Sequence, residues 1–139
     1  MSREAVYSAL FARVSAAAGF ATTSRRLQMW TDVPPGAQPA LFQAQRSEQV
    51  TQVTNRPPIW KFHVDLYIYA YATDNGVSPA IQLNALVDAV EAALAPTFEN
   101  QTLGGLVTYA RISGQIQTDE GVLGQQAVAI IPVEIEVNA

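Results

Sequence analysis

The sequence contains no cysteine, and only one of its 139 residues, Lys61, is a lysine. Without cysteine the chain can form neither a disulfide framework nor a thiolate zinc site, and nothing in it requires an oxidising compartment. The other basic residues are seven scattered arginines, and the net charge is −4. Because no basic stripe is available to neutralise a run of phosphates, sequence-specific binding of nucleic acid is not expected.

Charged residues of both signs are scarce. They make up 14% of the chain against 49% hydrophobic residues, which is too apolar for disorder and low in charge for a solvated monomer. We interpret this balance as a sign that a partner covers part of the surface. Arg3, Glu4 and Arg13 interrupt the apolar pattern of MSREAVYSALFARV, which fits neither a signal peptide nor a membrane span. The sequence predicts a soluble, unprocessed single domain over residues 1–139 that folds in bacterial cytosol.

Two segments predict helices. Ser2 is a candidate N-cap, and apolar residues then recur at helical spacing until Gly19, which predicts the first helix. Ser78 and Pro79 form a second cap with proline at the first helical position, and an amphipathic stripe follows until Pro96. This pattern predicts the second helix.

The remaining chain predicts strands, and with the helices an α+β domain. Residues 59–72 alternate between apolar and other side chains and would span about 45 Å if straight, against about 30 Å for a small domain, so this strand must curve or project. Pro132, in the last strand, argues for an edge or a bulge. The other predicted strands are 22–30 and 40–55, which flank the proline-rich loop TDVPPGAQP, and the hairpin strands 106–117 and 125–137, joined by the turn-prone linker TDEGVLG.

No catalytic, cofactor or metal site is predicted. His63 and Asp65 lie two apart on one strand face and could act as a base and its orienting carboxylate, but no nucleophile stands at a matching position. The pair Gly104 and Gly105 lacks the spacing of a phosphate-binding loop, so a turn before a strand is the better interpretation. The sequence therefore favours a protein that is not an enzyme.

Eight residues are instead candidate contacts with other chains. Trp30 either anchors an interface or caps the domain's own core. Three tyrosines on the long strand either recognise a partner or pack under a helix, and of two adjacent arginines one either meets a carboxylate of a neighbouring subunit or stays exposed. Two adjacent acids lie in the predicted linker, where side chains project without converging on a metal. The eight residues are Trp30, Tyr67, Tyr69, Tyr71, Arg25, Arg26, Asp119 and Glu120.

Three segments resemble the small tail terminator, or tail completion, proteins encoded among the tail genes of siphophages and their prophages. They are SREAVYSALFARV, SRRLQMWTDVPPGAQPALFQAQ and TLGGLVTYARISGQIQTDEGVLGQQAVAIIPVEIEV, and the likeness covers nearly the whole chain in element order and length. The resemblance implies a mixed, mainly antiparallel sheet with two main helices packed on it. It also implies a hexameric ring that ends polymerisation of the tail tube and then presents a surface for head joining.

The partners implied are further copies of the chain, the tail tube protein and the head connector or completion protein, in a virion assembled in the host cytoplasm. DNA would pass through the ring without specific binding, and no membrane and no cofactor would be involved. A head completion protein or a minor tail subunit would share the composition, and only its neighbours in the particle would distinguish it. An enzyme using His63 with Asp65 and a small-ligand carrier with a tyrosine-lined pocket are further alternatives.

Overall fold

The structure is a computed structural model that describes residues 1–74, 76–121 and 124–138. Within these residues three helices and a six-stranded sheet form an α+β fold, as predicted. Two single-turn 3-10 helices, Trp30–Asp32 and Pro35–Ala37, interrupt the proline-rich loop. The helices and strands in chain order are α1 (Arg3–Ser15), β1 (Thr22–Ser24), β2 (Ala40–Thr51), β3 (Ile59–Tyr71), α2 (Pro79–Ala93), α3 (Phe98–Gln101), β4 (Tyr109–Ile112), β5 (Gln117–Gly121) and β6 (Gly124–Asn138).

Both main helices begin at the predicted caps. The Ser2 hydroxyl accepts a hydrogen bond from the Ala5 amide at 3.2 Å, and the Ser78 hydroxyl accepts one from the Ala80 amide at 3.2 Å. Helix α1 ends at Ser15, four residues before the predicted stop at Gly19, and its last buried side chain is Val14. No apolar stripe marks α3, a single helical turn that the sequence pattern therefore missed.

The sheet is mixed and mainly antiparallel. Its strands lie in the order β1-β2-β3-β6-β4, and β5 pairs with β6 beyond the end of β4. Among the described strands, only the pairing of β1 with β2 is parallel. The long strands β3 and β6 pair over thirteen positions, from Ile59 opposite Asn138 to Tyr71 opposite Gln126. They form the centre of the sheet, and the other strands flank them.

Both main helices pack on one face of this sheet, and we call the opposite face the open face. Alternate residues of β3 and β6 point at the helices and form the main core. Burying one such large side chain contributes about 1.5–3 kcal/mol. The largest fully buried members are Tyr7, Leu10, Leu41, Phe62, Leu66, Ile68, Leu83, Ile131 and Ile135.

Two strand predictions were wrong. The predicted strand 22–30 is only the three residues of β1, because the chain turns away where the Arg26 amide donates to the Ser24 hydroxyl at 2.9 Å. The predicted strand 106–117 is split into β4 and β5, since the chain turns at Gly114 with φ +116°. The predicted linker TDEGVLG is also shorter than expected, because β5 continues to Gly121. Its residues Val122 and Leu123 lie outside the described residues.

The prediction that Pro132 marks an edge or a bulge was wrong as well. Pro132 lies in β6, opposite Asp65 of β3 and without a shift in that pairing. On its other side β6 changes partners from β5 to β4, and the Ser113 amide donates to the Pro132 carbonyl at 3.0 Å. A residue without an N–H is tolerated at this point because the neighbouring ladder is already interrupted.

Candidate assembly surfaces

The outer half of the β2–β3 hairpin extends beyond the packed helices. We call residues 46–59 the projecting hairpin, in which all residues except Pro58 are exposed. Its side chains include Val50 and Val53, which are 50% and 63% exposed. Strand β2 is fully covered as far as Gln43, so the strand passes from core to solvent within three residues. This change gives the chain a two-stranded surface that its own fold leaves uncovered.

A β-bulge lies where the projecting hairpin begins. Arg46 is extra to the pairing of β2 with β3, which shifts by one residue between Gln45 and Ser47. A single extra residue exchanges the two faces of a strand. Before the bulge the odd-numbered residues of β2 face the helices, as buried Gln43 does, and beyond it the even-numbered residues do, as Glu48 does. The bulge therefore turns the Glu48 carboxylate toward α1.

Glu48 anchors the base of the projecting hairpin to α1. Its carboxylate accepts hydrogen bonds from the Tyr7 hydroxyl at 2.7 Å and from Arg3 Nε at 2.8 Å. Burial pushes the pKa of Glu48 up, but the bonds from Arg3 and Tyr7 outweigh it and leave the pKa below its usual range. The Arg3 guanidinium also lies 4.7 Å from the ring centre of Trp60. The hairpin is thus held at its base while its outer residues are exposed.

The outer half of the sheet has two unpaired edges. Strand β1 pairs with β2 only as far as Phe42, so among the described residues no strand pairs with the outer side of β2 beyond that point. Strand β4 ends the sheet on the opposite side. One cross-strand row links the two edges, running from Gln49 through Lys61 and Glu136 to Tyr109. The two edges therefore lie at the same level of the sheet.

Part of the open face is covered by the chain itself. Residues 28–39, which we call the cover segment, pack over a second apolar cluster that includes Val33, Phe42 and Tyr69. Tyr69 is only 3% exposed, and its hydroxyl donates to the Gln28 carbonyl at 2.6 Å. Burial, and next the neighbouring Tyr67, raise the pKa of Tyr69 to about 12. Tyr67 and Tyr69 therefore pack with the cover segment, whereas the two interpretations drawn from the sequence were recognition of a partner and packing under a helix.

Two glutamines fasten the cover segment to the sheet. Gln38 Nε2 donates to Gln126 Oε1 at 2.8 Å, and Gln126 Nε2 donates back to Gln38 Oε1 at 2.9 Å. Gln126 is 3% exposed and also donates to the Ala70 and Ala127 carbonyls. Because a buried amide without partners is costly, this pairing fixes where the cover segment lies.

The rest of the open face carries charges that neutralise one another. Arg46 Nε lies 3.3 Å from Asp65 Oδ1, and Arg111 Nη2 lies 3.7 Å from Glu134 Oε2. The Tyr109 hydroxyl donates to Glu134 at 2.7 Å, and burial and then this bond raise its pKa to about 12. A surface of paired charges offers no run of free cations to phosphates.

His63 and Asp65 do lie on one face of β3, as predicted. His63 is opposite Glu134 in the pairing with β6 and half-buried. The Asp65 carboxylate forms an ion pair with Arg46 and lines a cavity with Ser113. Three titratable side chains, His63, Asp65 and Glu134, thus lie on this part of the open face.

The predicted arginine pair follows β1, and its two members differ. Arg25 Nη2 donates to Glu4 Oε1 at 3.1 Å and to Gln45 Oε1 at 3.2 Å, which ties this segment to α1 and β2. The carboxylate that Arg25 meets thus belongs to its own chain, whereas the sequence left open either a carboxylate on a neighbouring subunit or an exposed arginine. Arg26 is exposed.

Of the remaining predicted contacts, Trp30 and Asp119 lie near each other on the open face, whereas Glu120 meets the start of α2 and Tyr71 lies at the end of β3. Trp30 is half-buried against the second cluster and, with Asp119, lines a shallow cavity of about 310 Å³. Asp119 and Glu120 are exposed but lie in β5, so they do not belong to the predicted turn-prone linker. The Glu120 carboxylate accepts a hydrogen bond from the Ser78 hydroxyl at 2.8 Å. At the end of β3 the Tyr71 hydroxyl donates to Gln125 Oε1 at 2.9 Å.

Sequence reasoning missed Glu48 and the edge of β4. Glu48 stands in a polar run, SEQVT, and its role depends on the extra residue Arg46, which alternation alone does not reveal. Strand β4 is only four residues long, and Gly114 was the one local signal that the predicted strand breaks. The unpaired edges depend on the order of the strands in the sheet, which the sequence pattern does not reveal.

In the described ranges no three His, Cys, Asp or Glu side chains come together as a metal site would need. The described helices include none with the length and hydropathy to cross a bilayer.

Comparisons with known proteins concern the fold. No family profile and no curated protein matches the sequence. One solved structure, which carries no functional description, is 15% identical with a TM-score of 0.55, over 100% of this chain and 97% of its own. A second, from the virion of a native gene transfer agent particle, is 13% identical with a TM-score of 0.49, over 95% of this chain and 93% of its own. At this identity the first likeness establishes a shared fold alone, and the second is too distant to carry an argument.

Proposed function

We propose that this chain is a structural virion protein that caps a phage tail tube as a ring, ends tube polymerisation and forms the surface for head joining. The observation that carries the proposal is the exposed projecting hairpin together with the two unpaired edges of the sheet, on β2 and on β4. A head-to-tail ring requires two different contact surfaces on each copy. The two unpaired edges on opposite sides of the sheet provide such surfaces. The resemblance of the sequence to tail terminators supplies the particular role.

The charge pattern supports the same proposal. On the open face Arg46 and Arg111 each have a carboxylate neighbour, and Lys61 lies opposite Glu136. A channel that lets DNA pass must not hold it, and paired charges with a net balance of −4 give phosphates little to bind. A hexamer would also multiply weak contacts with a six-fold tube end, so that docking becomes tight without any strong single contact.

Tail length measured by negative-stain electron microscopy tests the proposal. Tails are assembled in a host that carries the tail genes with and without the gene for this chain. We expect uniform tails that attach heads only when the protein is present, and overgrown, headless tubes when it is missing. Uniform tails in its absence would contradict termination and favour a head completion protein or another tail component.

The variant His63→Gln is the matched control in the same assay. We expect it to give uniform tails, because docking of a ring needs no acid–base group. Loss of length control in this variant while it still folds, as judged by circular dichroism, would favour a function that uses the imidazole.

A further inference from the structure

We propose that the outer edge of β2 in one copy pairs antiparallel with the outer edge of β4 in the next copy, so that the sheets of neighbouring copies become continuous. This inference rests on the proposed ring and assigns its contact to residues 47–51 on one side and residues 109–112 on the other.

Strand direction supports this contact. Strand β2 is antiparallel to β3, β3 to β6, and β6 to β4. The directions alternate across the four strands, so β4 of one copy and β2 of the next run in opposite directions when their sheets lie side by side in the same sense. The pairing therefore extends the existing antiparallel pattern, and the same contact can repeat from copy to copy until a ring closes.

The two faces also match across the proposed contact. On the helix side β4 presents Ala110 and Ile112, which pack against the main core, and the projecting hairpin presents Val50. On the open face β4 presents Tyr109 and Arg111, and the hairpin presents polar side chains such as Gln49. Pairing would bring the exposed Val50 beside apolar neighbours and keep polar residues on the polar face.

Space for an incoming strand exists beside β4. An open cavity of about 490 Å³ lies between the end of α2 and this edge, and its lining includes Leu94, Pro96, Arg111 and Ile112. An isologous pairing of two β2 edges would leave the β4 edge unused and would close after two copies. The presence of two free edges at one level thus favours the heterologous contact.

Cysteine cross-linking tests the contact, and the natural chain has no cysteine to interfere. The double variant Gln49→Cys with Arg111→Cys is treated with a short bismaleimide that tolerates a small difference in register. We expect a ladder of covalent oligomers. A mixture of the two single variants should give covalent dimers, and each single variant alone should give no covalent product. The matched control pairs Gln49→Cys with Gln82→Cys, an exposed position on α2, and should give no ladder.

A charge at the edge provides a second test. Adding Val50→Lys to the double variant should remove the ladder, since a lysine placed on an edge strand opposes pairing. Val53→Lys, in the exposed tip beyond β2, should leave the ladder intact. Dimers from Gln49→Cys alone, or no intermolecular product from a folded double variant, would overturn the proposed contact.

The outcomes separate this contact from the proposed function. If no ladder forms but light scattering finds a ring, the copies meet through another surface and the terminator role stands. If the ladder forms but tail length is unchanged without the protein, the contact stands and the terminator role fails.

Discussion

The inner and outer halves of the β2–β3 hairpin are made of the same two strands but are used differently. In the inner half Leu41 and Leu66 are fully buried under the helices, and the cover segment closes much of the other face. In the outer half the projecting hairpin is exposed, and Glu48 ties it back to α1. One continuous sheet can therefore carry the hydrophobic core at one end and leave its strand edges unpaired at the other. Three substitutions test whether the free energy of unfolding depends more on the inner half than on the outer half.

The largest expected effect belongs to the inner half. Leu66→Ala should lower the free energy of unfolding by about 2–5 kcal/mol, because it removes buried methyl groups and leaves a cavity. Val53→Ala, in the projecting hairpin, should change it by no more than about 0.5 kcal/mol. Urea unfolding followed by circular dichroism measures both. Similar losses for the two variants would contradict the division.

An intermediate effect is expected where the cover segment meets the sheet. Gln126→Ala should cost about 1–3 kcal/mol, since it removes a buried amide that donates to Gln38 and to the Ala70 and Ala127 carbonyls. Gln82→Ala, on the exposed side of α2, is the control and should stay within about 0.5 kcal/mol. If Gln126→Ala were equally neutral in urea unfolding, the cover segment would not depend on this pair.

The smallest expected effect belongs to the anchor of the projecting hairpin. Glu48→Gln should cost about 1 kcal/mol at neutral pH, because Arg3 and Tyr7 lose a charged acceptor that is 25% exposed. The folded-state pKa of Glu48 is depressed, so its stabilisation is present above the unfolded pKa of about 4.3 and is lost as pH falls through the folded value.

Unfolding free energies measured between pH 7 and pH 3 check this sign. The difference between the natural chain and Glu48→Gln should be largest at neutral pH and should shrink below about pH 4. A difference that grew on acidification would contradict the assignment. Glu91→Gln, at an exposed position on α2, serves as the control and should show no such trend.

Helix caps and strand alternation predicted the parts of the fold that local sequence determines. The caps at Ser2 and Ser78 and the alternating strand from Ile59 were predicted within a few residues of their observed bounds. Their signals lie within one element, as a cap hydroxyl with its amide or as an alternation of buried and half-buried side chains.

Features that depend on distant residues were not predictable. Pro132 is central in the sheet because its other neighbour is interrupted near Ser113, nineteen positions earlier in the chain. The candidate surface depends on which strands end the sheet, and no local pattern in β2 or β4 carries that information. The eight predicted contacts were chosen for residue type, whereas the two edges, 47–51 and 109–112, mix polar, aliphatic, aromatic and charged residues.

The extra residue at Arg46 restricts how the length of the projecting hairpin can change. Insertion of one residue between the bulge and the tip would move each following β2 side chain from the helix side to the open face, or the reverse. Insertion of two residues would lengthen the strand by about 7 Å and leave each following side chain on its present face. Viable length variants of β2 should therefore differ by even numbers of residues, while the tip at 52–58 should accept a peptide tag of any length.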